Sequence, residues 1–236
     1  MISEEHKNVK GIYGTIRLKK HIENKLKIIL NHKLIRRYKH ILGLKTVKRT
    51  KKGLSVSREK EKNLNNKAQY LIECNFKSDE PNKKFSSDVS YIKCIDGTLY
   101  LSAIKDYFNN EIVSLSTSNN NNINLIIDSY KDLKPQEESI VNTDQGAVYF
   151  AYEYVELAEN IGFTRSMSHR GHCWENCPIE NWFMQLKHEW LCQFNKMTKK
   201  QAKEEIEKYV LWYNNERIQK KLGYLSPVQY LLKYSN

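Results

Sequence analysis

An α/β fold is what this sequence predicts: a mixed sheet flanked by helices, with a small helical domain in front. Three observations carry it. From about residue 85 onward, strand-type alternation and helical periodicity succeed one another in the order β-hairpin, β, α, β, α, β, α. Apolar residues make up 40% of the 236, enough for a real core and too many for a wholly disordered chain. The charge is unevenly spread: residues 1–70 carry 20 Lys and Arg against 5 Asp and Glu, a net of +15, while residues 71–236 net −3. A basic appendage on a near-neutral body suggests a polyanionic partner, nucleic acid first.

Other classes are set aside by the same composition. The longest unbroken apolar run is residues 147–152, far short of the roughly 20 that a membrane helix needs. The opening Met1-Ile2-Ser3-Glu4-Glu5 has no basic stretch followed by an apolar one, so no secretory signal is read. Five scattered cysteines, an odd number, argue against a disulfide scaffold and for a reducing cytoplasm.

The front segment reads as two short helices. The first covers about residues 15–24, with Ile16, Leu18 and Ile22 as its buried positions. The second begins behind the N-cap Asn31 and stops at Gly43, where a C′ glycine belongs. Leu34, Ile35, Tyr38, Ile41 and Leu42 give it an apolar face; Lys33, Arg36, Arg37 and His40 give it a basic one. Two short helices with a basic second helix fit a helix-turn-helix. Basic helix faces are common on surfaces, so these residues alone leave DNA contact and plain solvation both open. Residues 45–67 repeat Lys and Arg without apolar period, as a solvated linker does, whether it lies along phosphates or is only a tether.

Strands are expected over 85–93 and 98–105, joined at the hairpin pair Asp96-Gly97, with a third over 111–117. The asparagine run 119–122 precedes a helix over 123–133. A short buried strand at 139–143, a helix over 148–160 and a last strand at 163–166 follow. Pro178 opens a helix running to about residue 194. Further helices cover 199–214 and the segment after Pro227, where Ser226 serves as N-cap. Trp182, Trp190 and Trp212 are read as core.

Three carboxylates stand out by placement. Asp88 lies mid-strand and shares its face with Ser86, Ser90 and Ile92, small neighbours that leave room for an ion and a substrate. Asp144 closes the strand Ile140-Val141-Asn142-Thr143, at the carboxyl end where α/β sheets bind ligands. Glu180 falls in the first turn of the Pro178 helix, with 35 residues between it and Asp144, and Lys187 lies two turns further on. Three hard oxygen ligands suit Mg²⁺ and phosphate chemistry. Taken singly, Asp144-Gln145-Gly146 is also a turn, Glu180 a charge suited to a helix start, and Lys187 a solvated lysine. His169, His172, Cys173 and Cys177 also cluster, but their spacing matches no common zinc site, and loop packing is the simpler reading.

Several segments together carry a resemblance. Asn142-Thr143-Asp144-Gln145-Gly146-Ala147-Val148-Tyr149 resembles the second-aspartate motif of bacterial insertion-sequence transposases related to retroviral integrases. Residues 166–176 resemble the loop before that family's catalytic glutamate, and Ile179-Glu180-Asn181-Trp182-Phe183 follows it. Tyr213-Asn214-Asn215-Glu216-Arg217 and Leu222-Gly223-Tyr224-Leu225-Ser226-Pro227 resemble its C-terminal signature, and Tyr13-Gly14 with residues 31–44 its helix-turn-helix. This chain is similar to the second, catalytic product of elements with two overlapping reading frames. Phe85, Asn142, Val148, His172, Glu175 and Asn181 depart from the usual family residues, and none of them is one of the three carboxylates.

The resemblance implies a ribonuclease-H-like fold and DNA cleavage and strand transfer by Asp88, Asp144 and Glu180, holding two Mg²⁺ ions that Mn²⁺ can replace. It implies DNA contacts by Lys187 and by Lys33, Arg36, Arg37 and His40, and a homo-oligomer on DNA that engages element ends and target. The small helix-turn-helix product of an upstream frame is a further implied partner; a membrane is not. The domains are then 1–56 for the helix-turn-helix, 57–80 for a basic linker and 81–236 for an integrase-type catalytic core with a helical tail. The chain starts close to its helix-turn-helix, and a missing N-terminal portion is expected. A cleaving nuclease of the same fold and a decayed DNA-binding remnant are the other readings.

Overall fold

The computed structural model describes residues 1–47 and 66–234. Three helices lead: α1 (Ile2–Asn8), α2 (Thr15–Leu26) and α3 (His32–Ile41). The sheet comprises β1 (Lys84–Cys94), β2 (Gly97–Asp106), β3 (Ile112–Ser118), β4 (Ile140–Thr143) and β5 (Thr164–Met167). Helix α4 (Ile123–Tyr130) precedes β4, and α5 (Tyr152–Ile161) separates β4 from β5. Helices α6 (Cys177–Gln185), α7 (Lys199–Asn215) and α8 (Pro227–Tyr234) complete the chain. Among the described residues no helix is long and apolar enough to cross a membrane.

The strand order is β3-β2-β1-β4-β5. The hairpin signalled by Asp96-Gly97 is present, with β1 and β2 antiparallel from Phe85↔Asp106 to Cys94↔Gly97. Asp96 Oδ1 also accepts the Lys199 backbone N–H at 2.8 Å, so the turn caps the start of α7. On the other side of β1, β4 pairs parallel to it, and β5, reached from β4 through the crossover helix α5, pairs parallel to β4.

The pleat of β1 and β2 sorts side chains into two cores. Phe85 and Ile104 join Ile126, Tyr130, Val141, Tyr149, Tyr154 and Phe163 beneath α4 and α5. Ile92, Leu99, Leu101 and Ala103 face the opposite way, into a cluster with Ile179, Trp182, Phe183, Ile206, Tyr209 and Tyr213 of α6 and α7. The three tryptophans belong there too: Trp182 and Trp190 are buried, and Trp212 packs against the cluster.

That second core also takes in Val9, Tyr13, Leu18, Ile22 and Ile35 from the leading helices. Tyr13 is the tie: its Oη accepts the Ile218 backbone N–H at 3.0 Å. The expected division at residue 56 falls outside the described residues, as does most of the expected 45–67 linker. Residues 66–80 of the proposed linker contain no helix or strand.

The leading helices differ from expectation in which residues they bury. Asn31 caps α3, its Oδ1 accepting the Lys33 N–H at 2.9 Å, and Gly43 follows with φ 62°. Of the expected apolar face only Ile35 is buried; Leu34, Tyr38, Ile41 and Leu42 are exposed, and so is Ile16 of α2. The apolar residues of α3 span a wider arc than α1 and α2 cover, and the inward line is completed by the stem of Lys39, whose Nζ donates to Thr46 Oγ1 at 2.7 Å. Helix α1 was not expected from the sequence. The helix expected to reach residue 194 passes after Gln185 into a π turn (Leu186–Trp190) and a 3₁₀ turn (Leu191–Gln193).

Candidate active site

The parallel pairing of β1 with β4 sets the site. Ser86 pairs with Asn142, and carrying that register on two residues brings Asp88 level with Asp144, just past the carboxyl end of β4. The adjoining backbone fixes both carboxylates. Asp88 Oδ1 accepts the Val89 N–H at 2.7 Å, and Asp144 Oδ1 accepts the Gly146 N–H at 2.9 Å. A Cβ on Gly146 would stand 2.9 Å from that same Asp144 oxygen, so a side chain there would push the carboxylate out of its present position.

Glu180 enters from α6. Pro178 occupies the first turn, and Ile179, Trp182 and Phe183 bury one stripe of the helix in the second core. Glu180, next to that stripe, is left half-buried and facing the two aspartates. The three charges act on one another. Asp88 is held well above the usual carboxylate range, first by burial, then by the Asp144 charge and more weakly by Glu180. Burial and Asp144 likewise raise Glu180. The structure therefore brings together the three acidic residues singled out in the sequence, from two strands and a helix.

Lys187 lies within the π turn. Its Nζ donates to Ser90 Oγ at 2.6 Å and sits 5.1 Å from the centre of the Tyr91 ring, and its charge lowers the proton affinity of Asp88. The basic residues Lys33, Arg36, Arg37 and His40 are all exposed on α3.

Sequence reasoning missed a buried amide network that holds the loop before α6. Asn142 Nδ2 lies within donating distance of Ser168 Oγ (3.1 Å), the Glu175 carbonyl (3.0 Å) and Asn176 Oδ1 (3.2 Å). Its Oδ1 accepts from Ser166 Oγ at 2.9 Å, and Asn176 Nδ2 donates to the Ser87 carbonyl at 3.3 Å. The available signal was the departure at Asn142: a different polar residue in the middle of an otherwise apolar strand needs partners. Among the described residues, the three ligand-type side chains whose donor atoms all lie within 4.8 Å of one another are His169, His172 and Glu175, not the carboxylate trio.

A carboxylate cluster at the end of the parallel strand pair, on a β3-β2-β1-β4-β5 sheet with helices on both faces, defines an integrase-type core of ribonuclease-H-like fold. Two family models described as integrase core domain match residues 78–173 and 180–233. An uncharacterised transposase-like protein of Haemophilus influenzae is 36% identical over 208 residues, 86% of this chain and 94% of its own length. The transposase for insertion sequence element IS904 of Lactococcus lactis is 34% identical over 241 residues, 96% of this chain and 92% of its own. Among solved structures, the HTLV-2 integrase catalytic core domain in complex with magnesium, in its trimeric form, superposes with a TM-score of 0.50 at 16% identity, covering 63% of this chain and 95% of that one. The chain belongs to the insertion-sequence transposases related to retroviral integrases. It is a transposase, a polynucleotidyl transferase acting in DNA transposition.

Proposed function

We propose that Asp88, Asp144 and Glu180 are the catalytic carboxylates and that they hold two Mg²⁺ ions, which Mn²⁺ can replace. The observation that carries this is electrostatic. Asp144 and Glu180 both raise the proton affinity of Asp88, and Asp144 raises that of Glu180, so the negative charge gathered here from three elements suits a hard divalent cation that prefers oxygen ligands. Bound there, such ions supply Lewis-acid stabilisation of charge on the phosphoryl oxygens in water-driven cleavage and in joining by a DNA 3′-hydroxyl. The residues supply placement. Backbone N–H donors orient Asp88 and Asp144, and the buried stripe of α6 fixes Glu180 against them.

The DNA-binding assignments rest on charge and exposure. Lys187 stands beside the trio, where an ammonium meets a phosphate of the element end. Lys33, Arg36, Arg37 and His40 form the exposed basic face of α3, suited to duplex DNA in a helix-turn-helix. Residues 1–56 then serve as the DNA-binding unit, 57–80 as the linker and 81–236 as the catalytic unit. Each chain carries one trio and an element has two ends, so a homo-oligomer on DNA follows, with the upstream helix-turn-helix product as a further partner.

Glu180→Gln tests the assignment. It keeps shape and removes charge, so strand transfer with Mg²⁺ or Mn²⁺ is expected to fall by orders of magnitude while binding to element ends persists. Joining at the parent rate would overturn it.

A further inference from the structure

The loop between β5 and α6 holds a second group of ligand-type side chains that the reaction does not use. His169, His172 and Glu175 recur at every third residue, and one donor atom from each lies within 4.8 Å of the others. His169 Nδ1 is 3.1 Å from both Glu175 oxygens, and His172 Nδ1 is 3.1 Å from Oε1. The carboxylate is buried and anchored, with Oε2 accepting the His169 backbone N–H at 2.6 Å, whereas both rings reach solvent. Ring contacts orient the imidazoles: His172 stacks on Trp174 at 4.5 Å, and Tyr70 meets His169 edge-on at 5.4 Å.

Two imidazole nitrogens converging on one anchored carboxylate form a donor set with a definite preference. Nitrogen and oxygen ligands sit about 2.0–2.2 Å from zinc, so two of them on one ion lie roughly 3 Å apart. The observed 3.1 Å separations are hydrogen bonds between imidazole nitrogens and the carboxylate, and they lie near that spacing, so an ion taking the place of the shared protons needs little movement of the donors. Two histidines and a glutamate are a known zinc ligand set that leaves a fourth position open. Imidazole selects zinc and its neighbours over Mg²⁺, whereas the all-oxygen trio has the opposite taste. Cys173 and Cys177, which the sequence places beside the histidines, are not in the group; Glu175 is.

From this we infer that His169, His172 and Glu175 form a binding site for a zinc-class dication, separate from the carboxylate trio. Its role is to brace the loop. The Glu175 carbonyl is held by Asn142, and the adjacent Asn176 reaches the Ser87 carbonyl next to Asp88. An ion closing the outer side of this loop stiffens the segment that leads into α6 and Glu180.

The test uses the full chain, stripped with a chelator and titrated with Zn²⁺ against a chromophoric competitor in excess Mg²⁺. The parent is expected to retain one Zn²⁺ per chain and to gain thermal stability from it. His169→Ala and His172→Asn are expected to weaken that binding roughly tenfold or more and to lose the zinc-dependent stabilisation. Each ring also hydrogen-bonds the buried Glu175 carboxylate, so the zinc-free melting of each variant is recorded first and only the zinc-dependent gain is compared with the parent's. Glu180→Gln should bind zinc as the parent does. The inference is overturned if the parent retains no zinc, if both histidine variants bind it unchanged, or if Glu180→Gln abolishes it. Because this readout is binding, a failed strand-transfer assay leaves it untouched.

Discussion

Lys187 Nζ donates to Ser90 Oγ at 2.6 Å, across from the π turn after α6 to the strand that carries Asp88 two residues earlier. The contact holds an ammonium at the edge of the carboxylate cluster while the lysine stem spans the gap between helix and sheet. On the proposed reading, this ammonium would meet a phosphate of the element end. Lys187→Ala is therefore expected to weaken engagement of the element end by about 1.5–3 kcal/mol, the value of a hydrogen bond to a charged group. Metal binding at the trio should persist. Parallel measurement of end affinity and Mn²⁺ affinity checks this, and a variant that loses both would tie Lys187 to the cluster and not to DNA.

Arg36 and Arg37 project from α3 into solvent. If they lie on phosphates, each releases counterions on binding. Replacing both by Ala should lower the slope of log affinity against log salt by about two, at roughly 0.9 per contact. A salt titration with duplex carrying an element end reads this directly, and an unchanged slope would remove α3 from the DNA interface.

Lys105 predicts a pH dependence of stability. It is buried on β2, with Nζ donating to the Pro178 carbonyl at 3.2 Å. Burial first, then the nearby Arg217 and Lys221 charges, push it down from a lysine's ordinary 10.5 to about 7. Between those values the unfolded chain holds the proton and the folded chain does not. Stability from this group therefore rises as pH goes from about 7 toward 10, by up to roughly 1.4 kcal/mol per pH unit. Lys105→Met should remove that slope and stabilise the protein near pH 7. Urea unfolding of parent and variant across the window isolates the lysine, because other titrating groups cancel in the difference.

Tyr13 tests whether the front helices and the C-terminal helices unfold together. Tyr13→Phe strips the acceptor from the Ile218 N–H. The expected loss is about 1–3 kcal/mol, with a single transition seen alike by far-UV circular dichroism and by tryptophan fluorescence. Two separate transitions would mean that the shared cluster does not couple the segments.

Much of this protein is legible in its residues. The alternation of Phe85 through Lys93, the Asp96-Gly97 pair, the Asn31 cap and Pro178 are local instructions, and each acts where it stands because backbone dihedrals and capping bonds depend on near neighbours. Residue type also marks candidates for chemistry: an aspartate amid small residues on a strand and another closing an apolar strand stand out, although each taken singly has a structural reading as well. What the residues could not fix is who meets whom. Asp88 and Asp144 lie level only because β1 and β4 pair in parallel with Ser86 beside Asn142. Ile35 is buried while Leu34, Tyr38 and Ile41 are not, because burial depends on where α1 and α2 dock. Glu175 joins His169 and His172, and the neighbouring cysteines do not, because the loop's turn, held by the Asn142 amide, decides which donors converge. Local chain physics chose the elements; the register of the sheet and the docking of helices, set by long-range packing, chose the site.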